Sequence, residues 1–258
     1  MFKQPFEKKW NELLREDNIE EVIKLHINEH KSFLDLIQRY AENLKRGGSV
    51  NILEIGCGTA IDSYYIADKT QANVWAIDIS NRAIKVADRV GRYFGSKVNL
   101  KVADALKTDF KEGFFDLIFS QGVIEHFKNP IPIMKEQTRL LCDKGYLIID
   151  VPQKYNIYAL YRRLLTIMGK WPYGWERGYT AFELRKLGRQ VGLKQVEVSR
   201  RGLTCELSKS KRPYIAILGN SYDFIMKNFY RYFHKFTSYF LQDVCSVFTK
   251  DKNMEVKI

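Results

Sequence analysis

A chain of 258 residues with 45% hydrophobic content can bury a sizeable core, which excludes a disordered or fibrous protein and favours one main domain with additions. Its net charge of +12 is unevenly laid: residues 1–150 carry 22 Lys/Arg against 22 Asp/Glu, whereas residues 151–258 carry 20 against 8. The basic second part points to an anionic phospholipid surface, phosphorylated substrate or nucleic acid, or else to a basic face kept for solubility.

Cys57, Cys142, Cys205 and Cys245 are scattered without a CxxC pair, and MFKQPFEKKW lacks the apolar centre of a signal peptide. A reducing cytoplasm is therefore expected, with peripheral contact at a membrane surface as the further expectation of the basic part. No run of about 18 uncharged apolar residues is present to span a bilayer.

In chain order, residues 5–45 read as helices, with Ile19, Val22, Ile23, Ile27, Phe33, Leu34, Ile37 and Leu44 at helical intervals among charges. Arg46, Gly47 and Gly48 end that region. The period then changes. Asn51 to Ile55 is an aliphatic run leading straight into glycines, the mark of a buried parallel strand and a tight turn. A helix over Ile61 to Lys69, a strand VWAIDIS and a helix over Asn81 to Tyr93 behind a Ser80 cap follow. LKVADAL, FDLIFSQ and GYLIIDVP read as strands three to five, with a helix over Ile131 to Leu141 before the last. Such alternation means βαβ units and a parallel sheet.

Beyond Pro152 a helix is predicted over Tyr155 to Met168, then a Gly- and aromatic-rich loop, then a helix over Ala181 to Val191 with Thr180 and Glu183 as its capping box. KQVEVSR is a further strand. Residues 222–248 read as a long aromatic helix, with Ile225, Phe229, Phe233, Phe236, Phe240, Val244 and Val247 on one stripe. That helix suits a substrate lid, core packing or a membrane interface. The organisation expected is an N-terminal helical cap (1–48), an α/β core (49–205) with a lid at about 153–180, and a basic helical extension (206–258).

The chemistry centres on Glu54-Ile55-Gly56-Cys57-Gly58-Thr59-Ala60. Glycines at the end of a first strand allow a tight turn and close ligand approach, beside a helix N-terminus with unpaired amides. GxGxxG is absent, since Ile61 stands where its third glycine belongs, and the acidic Glu54 precedes the turn. Asp78, 24 residues on, closes the second strand, where an acid accepts ribose hydroxyls. Asp104 closes the third. Taken singly, Asp78 and Asp104 read equally as helix caps or turn acids; taken together at successive strand ends, they favour a cofactor.

The acid-then-GxGxA turn, the two strand-end acids and the strand-four run FDLIFSQGVIEHF resemble the motifs of class I S-adenosylmethionine-dependent methyltransferases, over roughly Trp10 to Gly202. The resemblance implies a Rossmann-like, mostly parallel sheet with helices on both faces. It implies S-adenosylmethionine as cofactor, with S-adenosylhomocysteine as product. The residues it assigns to cofactor binding are Glu54, Gly56, Cys57, Gly58, Asp78, Ile79, Asp104, Ala105 and Gln121. A carboxylate at Glu54 would suit the cofactor's cationic methionyl end. His126 is the candidate catalytic base, with a structural histidine as the other reading.

In quinone-pathway and small-RNA end methyltransferases an E-x-x-E-H run binds a divalent metal. Gly122 stands at the first Glu position here, so no metal is expected at Glu125–His126. The segment with Glu176, Tyr179, Thr180, Glu183 and Leu184 resembles the lid and helix start of small-molecule, quinone and sugar methyltransferases. Tyr155, Trp175 and Tyr179 are therefore candidate substrate contacts, and a small-molecule or lipid-like acceptor is the leading expectation. RNA methylation through the basic C-terminal part, and a non-catalytic cofactor-binding scaffold, are the alternatives. His26 and His30 read as ordinary helix-face histidines.

Overall fold

In a computed structural model the described residues are 11–13, 18–44, 49–171, 174–201, 221, 224 and 243–250. Helix α1 (Ile19–Leu44) precedes β1 (Asn51–Ile55), α2 (Ile61–Thr70), β2 (Asn73–Asp78), α3 (Asn81–Gly91), β3 (Val98–Val102) and β4 (Phe115–Gln121). A 3-10 turn (Ile124–His126), α4 (Ile131–Leu140), β5 (Leu141–Pro152), α5 (Ile157–Ile167), α6 (Ala181–Gln190), β6 (Leu193–Arg201) and β7 (Asp243–Lys250) complete the described chain. The strands form one sheet in the order β3-β2-β1-β4-β5-β7-β6. All pairs from β3 to β5 are parallel; β7 runs antiparallel between β5 and β6.

Central strands are apolar on both faces because both faces are covered. Leu53, Ile55, Ile118, Leu147 and Ile149 pack on one side with Ile133, Met134 and Leu140 of α4 and Leu184 of α6. Their alternates Ile52, Leu117, Phe119 and Ile148 pack on the other side with Phe33, Leu34 and Ile37 of α1 and Ile66 of α2. Period-2 alternation therefore assigns neighbours to two cores, not to core and solvent. A third cluster joins Ile19 and Ile23 of α1, Cys57, Ile61 and Tyr64 around α2, and Ala83, Val86 and Val90 of α3. Through it, α1 is bound into the same body that carries the glycine turn.

Helix starts follow their caps. Ser80 Oγ accepts the Ala83 amide ahead of α3, Asn156 accepts the Ala159 amide ahead of α5, and Thr180 with Glu183 forms the expected reciprocal capping box ahead of α6. The long C-terminal helix needs correction. Val244 and Val247 lie in a strand, where Val244, Cys245, Ser246, Val247 and Phe248 are all buried. The sheet thus draws on residues beyond 205, and the helical extension does not run to its expected end. Of that predicted helix, residues 222, 223 and 225–242 lie outside the described residues.

Candidate active site

The site is built at the C-terminal ends of β1 to β4, where the first turns of the following helices also point. Gly56 and Gly58 adopt left-handed φ of 71° and 51°, and Ala60, which caps α2, is held at 54°. A left-handed alanine is uncommon, so the turn is over-determined by its surroundings. At Gly56 a Cβ would lie 2.5 Å from Val123 Cγ2, so no side chain fits between the turn and the loop after β4.

β2 fixes the turn. The amides of Gly56 and Cys57 donate to Ile77 O at 2.8 and 2.9 Å. Asp78 takes the next bond: Gly58 N–H donates to its Oδ2 at 3.0 Å, and Ser80 N–H to its Oδ1 at 2.8 Å. Both carboxylate oxygens of Asp78 therefore take part in holding the turn and the start of the following helix. Asp104 lies in the loop two residues beyond β3, exposed, with Oδ1 accepting the Leu106 amide at 2.9 Å. Ala103 N–H donates to Asp78 O at 3.0 Å, which brings the two acidic strand ends side by side.

Ile79, Val102 and Leu106 leave 44%, 46% and 41% of their surface exposed around those acids. Ala105 is half-buried between them. Ile79 and Ala105 were expected here from the sequence; Val102 and Leu106, large apolar residues beside the same acids, were not singled out. Gln121 closes β4, and its side-chain amide donates to buried Asp150 at 3.2 Å.

Glu54 and Cys57 differ from expectation. The Glu54 carboxyl is 5% exposed and accepts the Ser63 hydroxyl at 2.5 Å, so it braces the turn from behind and does not face a ligand directly. Burial, then the negative Asp62, holds it well above the usual carboxylate range, although the Ser63 bonds oppose this. Cys57 is buried and its thiol is pushed well up by burial, so it fills space and lends its backbone to the turn.

Below β4, His126 stands on the 3-10 turn with Nδ1 3.2 Å from Trp175 O. Burial lowers its pKa, against the opposing pull of Glu176. Glu125 beside it is 2% exposed, and burial raises its carboxyl well above the usual range. The lid segment is tied together by charge: Glu176 pairs with buried Arg162 and accepts from Trp171 Nε1 at 3.2 Å, while Glu183 pairs with Lys154 and Arg177 at 2.7 and 3.2 Å. Glu176 and Glu183 were singled out from sequence; their pairing was not, and Lys154 reaches Glu183 across 29 residues of chain.

Tyr155 and Trp175 are 62% and 40% exposed, consistent with surface contacts. Tyr179 is not. It is 1% exposed, its hydroxyl donates to Ile124 O at 3.4 Å, and its backbone pairs with Pro152 and Lys154. Its ring packs the lid onto the 3-10 turn that carries His126 and does not line a substrate surface.

This strand order, with a glycine turn after β1 and acids after β2 and β3, is that of the Rossmann-like class I methyltransferase fold. Residues 53–149 match the family model described as a methyltransferase domain. It is 32% identical over 101 residues to ajmaline N-methyltransferase of Rauvolfia serpentina, covering 38% of this chain and 35% of that one. It is 28% identical over 160 residues to the ubiquinone biosynthesis O-methyltransferase of Cupriavidus pinatubonensis, covering 59% and 63%. In both cases the matched stretch spans less than two thirds of the relative. Magnesium protoporphyrin IX methyltransferase from Synechocystis, solved with bound S-adenosylhomocysteine, shares the fold at a TM-score of 0.61 and 14% identity over 97% of this chain and 96% of that one.

S-adenosylmethionine is the cofactor of the class, and the strand ends here fit it. The turn at Gly56 admits no side chain, Asp78 stands beside it as a carboxylate acceptor, and an exposed apolar margin flanks Asp78 and Asp104.

Proposed function

We propose that this chain transfers the methyl group of S-adenosylmethionine to an oxygen or nitrogen of a small-molecule or lipid-like acceptor. Asp78 receives the ribose hydroxyls, Asp104 and the backbone of Ala105 receive the adenine edge, and Ile79, Val102 and Leu106 cover the ring. The turn at Gly56, Cys57 and Gly58, with Gln121 opposite, holds the methionyl end. Bound there, the cofactor supplies an electrophilic sulfonium methyl. The protein's task is then to hold the acceptor in line, exclude water and receive a proton.

His126 fits the last role. With Nδ1–H donating to the Trp175 carbonyl, Nε2 carries the lone pair, and partial burial keeps the ring neutral. Tyr155 and Trp175 supply exposed aromatic surface for the acceptor.

The observation that carries the acceptor class is the outer face of α5. Leu160, Leu164, Ile167 and Met168 recur at helical spacing and are 69%, 55%, 76% and 51% exposed. An apolar ridge on the segment that follows β5 suits an acceptor with an apolar body or one presented at a lipid surface. The two relatives are named as an ajmaline N-methyltransferase and a ubiquinone biosynthesis O-methyltransferase, which supports an oxygen or nitrogen acceptor on a small molecule. Incubating the chain with methyl-labelled cofactor and fractionated host lipids, soluble metabolites and RNA tests the reading. Label should enter the lipid or metabolite fraction; label confined to RNA would replace it with the nucleic-acid alternative.

A further inference from the structure

Outside the strand-end site, the described residues hold one cluster whose donor set suits a metal ion. His26 and His30 stand four residues apart on one face of α1, and Asp62 rises from the first turn of α2 against them. One donor atom from each of the three lies within 4.8 Å of the other two. His26 Nε2 is 2.6 Å from Asp62 Oδ1, and His30 Nδ1 is 3.9 Å from Asp62 Oδ2. The imidazole centroids are 3.9 Å apart at 36°.

Simple ion pairing between the helices accounts for half of this. The His26–Asp62 contact is a good hydrogen bond. His30 is the residue it leaves unexplained: its Nδ1 is a buried nitrogen with no hydrogen-bond partner among the described residues, and it is turned toward the second oxygen of the same carboxylate. Orphaned buried polar atoms are uncommon and call for an explanation. We infer that His26 Nε2, His30 Nδ1 and an Asp62 carboxylate oxygen form a binding site for a divalent first-row transition ion, with zinc the best match.

Donors sharing one zinc ion at about 2.0 to 2.2 Å sit roughly 3 to 3.5 Å from each other, and the two separations here bracket that spacing. The ion replaces the proton shared by His26 and Asp62, and it gives His30 Nδ1 the partner it lacks. Two imidazoles and one carboxylate suit zinc and its neighbours better than magnesium or calcium, which prefer all-oxygen shells. The histidine side chains are 26% and 22% exposed, so an ion can enter and a water can complete the shell.

Placement defines the role. Asp62 precedes Ser63, whose hydroxyl holds Glu54 behind the glycine turn, so the ion would staple α1 to the segment that shapes the strand-end site. It carries no chemistry in methyl transfer.

The test uses the purified full chain, stripped with a chelator and titrated with zinc and cobalt(II) alone. The expected result is one tight ion per chain, a cobalt spectrum of nitrogen and oxygen ligation, and a rise in melting temperature on adding zinc. His30→Gln and His26→Gln, checked for folding by circular dichroism, should each weaken binding by at least about 10-fold and abolish the thermal shift. Zinc affinity unchanged in both variants would mean adventitious binding elsewhere and overturn the site. If the variants fail to fold, the unsubstituted chain still decides: a thiolate-to-cobalt charge-transfer band assigns the ion to cysteine, and absence of any ligand-field band leaves a proton-bridged ion pair only. Either result sinks the proposal.

Discussion

His126 is placed so that its surroundings decide its protonation. Burial lowers its pKa below the ordinary 6.5, Glu176 pulls the other way, and the net direction is toward the neutral ring. A base must be deprotonated to act, so turnover should rise with pH along a limb centred below 6.5 and be flat above it. His126→Ala should lower kcat by about 10² or more and remove that limb, with cofactor affinity almost unchanged. Stopped-time assays across pH on both proteins check this. Near-normal turnover in the variant would return His126 to a purely structural role.

The glycine turn and the acid that ends β2 were legible as local features, because an aliphatic run, glycines and a spaced acid leave marks in the sequence, whereas the burial of Glu54 behind the turn left none. Tyr179 was misread for the opposite reason. Its neighbours Thr180 and Glu183 do form the expected cap, but whether an aromatic before a cap faces solvent or core depends on what lies beneath. Here that is the 3-10 turn some fifty residues earlier in the chain, at Ile124. The His26–His30–Asp62 cluster was invisible too, since 36 residues separate its parts.

At the level of elements, the loop carrying Asp104 depends on α4. Glu136 Oε1 accepts both the amide and the hydroxyl of Thr108 at 2.9 and 2.8 Å, Arg139 binds both Glu136 oxygens, and Arg139 also donates to Phe110 O. Burial alone would raise the Glu136 carboxyl, but these bonds outweigh it and bring its pKa down to about 2. The folded value lies below the unfolded one, so the contribution is complete above pH about 4.5 and is lost as pH falls toward about 2. Glu136→Gln should therefore be less stable than the unsubstituted chain at pH 7, with the two stabilities converging between pH 4.5 and 2. Denaturant midpoints over that range measure it; parallel curves would refute the linkage.

Strands β1 to β6 were readable from composition, β3 with its bounds set too late at residues 100–106 against Val98–Val102, whereas β7 was not. A strand buried on both faces has no clean alternation, so Val244 and Val247 fitted a helical stripe equally well. Only its pairing with β5 and β6 resolves the ambiguity, and pairing is a property of distant segments.

For the whole molecule, the charge excess and the apolar ridge of α5 fall in the same part of the sequence. The +12 excess lies beyond residue 150, as does the ridge of Leu160, Leu164, Ile167 and Met168 on α5. No helix among the described residues is long and apolar enough to cross a membrane, so any lipid contact through them would be at the surface. Each basic residue near an anionic leaflet contributes about 1 kcal/mol, screened by salt. The full chain should float with anionic vesicles at low salt and release at high salt. Leu164→Glu with Ile167→Glu should weaken flotation without unfolding the protein, because both side chains are already exposed. A full chain that ignores anionic vesicles at low salt would restrict the basic part to soluble partners.

The central claim is that the strand ends bind S-adenosylmethionine through Asp78, and calorimetric titration of S-adenosylhomocysteine into the full chain tests it most directly. On the proposed reading Asp78 receives the ribose hydroxyls, and it also holds the Gly58 and Ser80 amides. Losing such bonds costs about 1.5 to 3 kcal/mol, or roughly 10- to 150-fold in affinity. The account predicts one site per chain, weakened by at least that factor in Asp78→Ala, with the sheet intact by circular dichroism. No binding to the unsubstituted chain, or the same affinity in the variant, would contradict it.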